Sequence, residues 1–71
     1  MKIMRVERFH DDDGRTMQLT LDGHPGPVVG RTAKVQTFAS LYAYTVRDQR
    51  GGTVTIASCP GVTAGDSIEF E

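Results

Sequence analysis

The sequence predicts an α+β domain of order ββαββ: a four-stranded antiparallel sheet with one helix packed on one face. Three observations predict it. Met17, Leu19 and Leu21 alternate with Thr16, Gln18, Thr20 and Asp22, the period of a half-buried strand. Val35, Phe38, Ala39, Tyr42 and Val46 fall on one stripe of a helix. After Gly51 and Gly52 the period of two returns, with Val54 and Ile56 set between Thr53, Thr55 and Ala57.

Residues 2–10 and 16–22 read as a hairpin turning through Asp11-Asp12-Asp13-Gly14. A four-residue loop pairs His10 with Arg15, Val6 with Leu19 and Met4 with Leu21. Met4, Val6, Met17, Leu19 and Leu21 then share one face. Ile3 and Phe9 are left on the other, where a loop or another chain must cover them. Gly23-His24-Pro25-Gly26-Pro27 breaks regular structure. The helix is expected over 32–50, with Thr32 as its cap, Arg47 and Arg50 near its end, and Gly51 as its left-handed stop. Arg31 and Lys34 oppose the helix dipole. Residues 59–66 read as an irregular connection, and Ser67 to Glu71 as a last strand with Ile68 and Phe70 inward.

A rival reading is an all-β small barrel. Tyr42, Tyr44 and Val46 also alternate, and pairing Val46 with Val54 sets Tyr44 opposite Ile56. Tyr, Thr and Val favour strands. The stripe and its glycine stop tip the reading to the helix.

At 71 residues the chain reads as one small domain, 1–71, near the lower limit for folding without staples. Its thin stability margin disfavours a deep, desolvated active site. Eight Lys and Arg against nine Asp and Glu give a net charge of −1, without the basic excess usual in nucleic-acid binders. A lone cysteine, Cys59, suits a reducing cytosol. Neither a signal-length apolar run nor a membrane-spanning stretch occurs, so a cytoplasmic protein is expected.

No motif names a chemistry. Gly26 to Thr32 resembles a phosphate-cradling loop only loosely: three residues separate its glycines, Arg31 stands where the lysine belongs, and Pro27 removes a donor. The contiguous Asp11, Asp12 and Asp13 lack the alternate spacing of a calcium loop and read as a solvated turn, or as an acidic loop docking on a basic partner. His24 has no ligand-type neighbour at metal spacing. Ser40, Ser58 and Ser67 lack a nucleophile elbow. Cys59 reads as structural. Arg5, Arg8 and Arg15 with Phe9 and the tyrosines give a nucleic-acid alternative, diluted by Glu7 and the aspartates. Leu41 and Tyr44 lie off the helical stripe and are contact candidates.

These readings combine into one expectation. The chain is a small non-enzymatic protein-binding module, without cofactor or metal, that blocks a surface of a host protein complex. Inhibitors carried by phages and mobile elements, anti-CRISPR proteins among them, are of this size class. Phe9, Asp11, Asp12, Asp13, Tyr44, Arg47 and Arg50 are the expected partner contacts, and a homodimer is compatible with the open sheet face.

Overall fold

The structure, a computed structural model, describes residues 1–11 and 14–71, and of Asp11 the backbone alone. It is all-β. The strands are β1 (Ile3–Asp11), β2 (Gly14–Leu21), β3 (Thr32–Gln36), β4 (Leu41–Thr45), β5 (Asp48–Arg50), β6 (Thr53–Ala57) and β7 (Ser67–Phe70). No helix occurs among the described residues, so the expected ββαββ fold is corrected.

Two antiparallel sheets form, one in the order β1-β2-β6-β5 and the other β4-β3-β7. They meet at two corners. At one, Lys2 bridges to Ser67, the Ile3 N–H donates to Asp66 O (2.8 Å), and the Ile68 N–H donates to Met1 O (2.8 Å). At the other, the chain itself crosses from β4 into β5. There the Arg47 N–H donates to Thr55 O (2.8 Å), on the residue that Asp48 faces. Two residues of the bent strand thus meet one of β6, as at a β-bulge. The two sheets enclose one core, which holds Ile3, Met17, Leu19, Val35, Val46, Val54, Ile56 and Ile68.

The segment expected to be helical shows why its pattern misleads. Val35, Tyr42 and Val46 do share a side, but as inward residues of two antiparallel strands joined by a turn at 37–40. In that turn the Thr37 N–H donates to Ser40 O (2.8 Å), and the Ser40 N–H donates to Thr37 Oγ1 (3.0 Å). Phe38, placed by the stripe in the core, is fully exposed, and Ala39 is exposed beside it. Thr32 opens a strand instead of capping a helix. Gly51 is not a helix stop but the first residue of a two-residue hairpin turn between Arg50 and Thr53, with φ of +58°. The rival pairing of Val46 with Val54 is also displaced: Gln49 faces Val54, while Tyr42 and Tyr44 face Val35 and Ala33 in the other sheet.

The first hairpin keeps the expected pairs His10 with Arg15 and Val6 with Leu19. A bulge between Ile3 and Arg5 then slips the register by one residue. Ile3, not Met4, faces Leu21, and a one-residue slip exchanges faces. Ile3 is 1% exposed and Met4 is 60% exposed. The awkward outward Ile3 of the sequence pattern is thereby removed. Phe9 remains outside.

Candidate functional interface

The outer face of the four-stranded sheet is built in rows. Phe9 lies opposite Thr16, which lies opposite Ala57. Glu7, Gln18, Thr55 and Asp48 form the next row, and Arg5, Thr20, Thr53 and Arg50 the one after. Strand alternation puts these residues on one side because their neighbours Met17, Leu19, Val54 and Ile56 fill the core. The face is therefore a polar carpet of threonines and Gln18, edged by charges. Arg5 pairs with Glu7 across 2.8 Å at the exposed rim.

Phe9 is the apolar exception. It is 43% exposed and lines two shallow grooves. One contains His10, Thr16, Gln18, Arg47, Asp48 and Thr55. The other is lined by Arg8, His10, Arg15, Ala57, Ser58 and Pro60. Arg8 is fixed there, donating from Nη1 to Ser58 Oγ (3.1 Å) and from Nη2 to Val62 O (3.4 Å). An exposed ring flanked by arginines, with hydroxyl and amide groups beside it, is the composition of a protein contact patch.

The structure brings together two of the expected contact residues, Phe9 and Arg47, in one groove. Arg50 lies on the same outer face, at the row farthest from Phe9. Tyr44 is elsewhere. It is half-buried against the core, stacked on Tyr42 with ring centroids 6.2 Å apart. Burial, and secondarily the nearby Cys59, pushes its phenol above the usual range. Leu41, the other off-stripe residue, is exposed. Asp12 and Asp13 lie outside the described residues, and of Asp11 only the pairing with Gly14 is described.

Gln49 is the important side chain that sequence reasoning missed. It points inward from β5 and clasps the 26–28 loop. Its Oε1 accepts from the Val28 N–H (2.8 Å), and its Nε2 donates to Gly26 O (2.6 Å) and Gly51 O (3.0 Å). This clasp ties the loop holding buried Val28 to the hairpin end next to Arg50. Only its place between outward Asp48 and Arg50 on a strand signals it, and the helical reading hid that.

Cys59 is buried, and burial pushes its thiol above the usual range although Arg8 pulls the other way. A thiol so held is a weak nucleophile. Among the described residues no group of three or more His, Cys, Asp or Glu is placed to hold a metal ion. No helix there is long and apolar enough to cross a membrane. No family model matches the chain, and no curated protein or solved structure resembles it significantly.

Proposed function

We propose that the protein is a small non-enzymatic binding module whose target is a protein complex of its host. It docks through the outer sheet face around Phe9 and Arg47. The observation that carries this reading is the placement of Phe9. The core closes without it, yet its ring stands among Arg47, His10 and hydroxyl-bearing side chains on an open surface. Burying the exposed part of this ring in a partner's pocket gains on the order of 1 kcal/mol, and arginine beside it adds directional hydrogen bonds. The mode of action is occlusion of the partner's surface, as expected of phage and mobile-element inhibitors of this size class.

Quantitative capture tests the reading. The immobilised full chain should retain a stoichiometric host complex, and Phe9→Ser with Arg47→Glu should abolish retention while leaving the melting curve unchanged. Retention of nothing, or equal retention by the double variant, overturns the proposal.

A second reading, nucleic-acid binding, draws on the groove that joins Phe9 to Arg8, His10 and Arg15. Stacking on an aromatic ring beside cations is how single strands are held. It predicts a gel shift at low salt that disappears at moderate salt. The absence of any shift at tens of micromolar protein removes it.

A further inference from the structure

The free edge of β4 carries a different signal from the Phe9 face. Rungs of the β3–β4 ladder fall at Thr37 with Ser40, where the Thr37 N–H donates to Ser40 O (2.8 Å), and at Arg31 with Val46, where the Val46 N–H donates to Arg31 O (2.9 Å). Hydrogen-bonded rungs of an antiparallel ladder occur at alternate residues, so Tyr42 and Tyr44 carry those between. The N–H and C=O groups of Leu41, Ala43 and Thr45 are therefore aimed away from β3. Among the described residues these three make no hydrogen bond outside the ladder. After Val46 the chain turns into the other sheet, where Arg47 bonds to β6. From Leu41 to Thr45 the edge is open among the described residues.

Open edges are normally guarded by charge, proline or a bulge. The free side of β1 obeys this, with Arg5, Glu7, Arg8 and His10 along it. The β4 edge, Leu-Tyr-Ala-Tyr-Thr, has no such guard. It also carries the exposed Leu41, and the fully exposed Phe38 projects from the adjoining turn.

We propose that this edge is a self-association surface: a second copy of the chain adds its own β4, antiparallel, about a twofold axis at Ala43. The strand is its own complement. In that register Leu41 meets Thr45 of the second copy, Tyr42 meets Tyr44, and Ala43 meets Ala43. The outward-aimed backbone groups meet outward-aimed groups, giving about six hydrogen bonds at two per rung. The Tyr42–Tyr44 stack of each copy joins the other into one row. No like charges face each other across the axis, as an isologous contact requires. The two three-stranded sheets become one continuous sheet of β7-β3-β4 and its symmetry copy. So short a contact falls below the standard interface size, and a Kd on the order of 10–100 μM is expected.

Sedimentation velocity on the full chain tests this between about 1 μM and about 1 mM, a range bracketing the expected Kd. Wild type should pass from monomer to dimer. Ala43→Lys sets a cation against itself on the axis; it also stands opposite Lys34 of its own sheet, whereas Ala43→Glu meets that lysine with the opposite charge, so an effect shared by both variants belongs to the axis. Ala43→Lys should raise the Kd at least about 10-fold with an unchanged circular dichroism spectrum, and Ala43→Glu should do the same. An equimolar mixture of the two variants should restore the dimer. Phe9→Ser should leave dimerisation untouched, which separates this surface from the proposed partner face. A wild type that stays monomeric, an Ala43→Lys protein that dimerises normally, or a mixture that fails to associate overturns the proposal.

Discussion

The β1–β2 hairpin and the β3–β4–β5 segment are both antiparallel ribbons, yet the chain writes them in different ways. In the first, polar and apolar residues alternate along β2 without interruption, and both strands are long. In the second, short strands are joined by a turn containing Phe38, and the ribbon then changes sheet at Val46 and Arg47. The inward phase moves from Tyr42, Tyr44 and Val46 to Gln49 as it does so. Short strands with shifting phase imitate a helical stripe. An interrupted period of two is therefore no evidence against strands where the chain must bend at a corner.

The largest test of this comparison concerns the bulge in β1. Ile3→Ala should cost about 3 kcal/mol in urea unfolding, as a buried truncation with a residual cavity, whereas Met4→Ala should stay within about 0.5 kcal/mol. The unslipped register predicts the reverse. Next is the β5 phase. Gln49→Ala leaves the Val28 N–H and Gly26 O without their partner and should lower stability by about 2 kcal/mol. A neutral effect would mean that Gln49 faces solvent and that the ribbon does not change phase.

The turn closing the second region comes third. Gly51→Ala forces a left-handed φ on a residue with a Cβ and should cost about 1 kcal/mol, with the loss visible in the melting temperature. The smallest effect is pH-dependent. Burial raises the Cys59 pKa above its ordinary 9.0, and hydrogen bonding to Glu71 raises Lys34 above 10.5. A raised folded value stabilises the fold below the unfolded pKa, and the contribution is lost as pH climbs through the folded one. Melting curves should be flat from about pH 7 to 8.5 and fall in more alkaline buffer, less steeply in Cys59→Ala.

What was legible follows from these particulars. β2, β6 and β7 could be read because each keeps one phase throughout, with Met17, Leu19, Val54, Ile56 and Ile68 inward. Bulges at Met4 and at Arg47 are backbone events, and no residue at either place announces them. Thr32, Arg47, Arg50 and Gly51 fit helix ends and hairpin ends equally well, so only long-range pairing decides between the two. Of the expected contacts, Phe9 and Arg47 come together because the bent ribbon brings β5 alongside β6. Tyr44 turns inward because β4 pairs with β3 in the other sheet.

The Phe9 surface and the exposed turn beside β4 rest on one premise: the core is complete without the rings of Phe9 and Phe38. Thermal unfolding of the Phe9→Asp, Phe38→Asp double variant tests that premise most directly. The account predicts a melting temperature within about 3 °C of wild type, since surface changes stay within about ±0.5 kcal/mol. A fall of more than about 10 °C, the scale of a lost core residue in so small a domain, would contradict it.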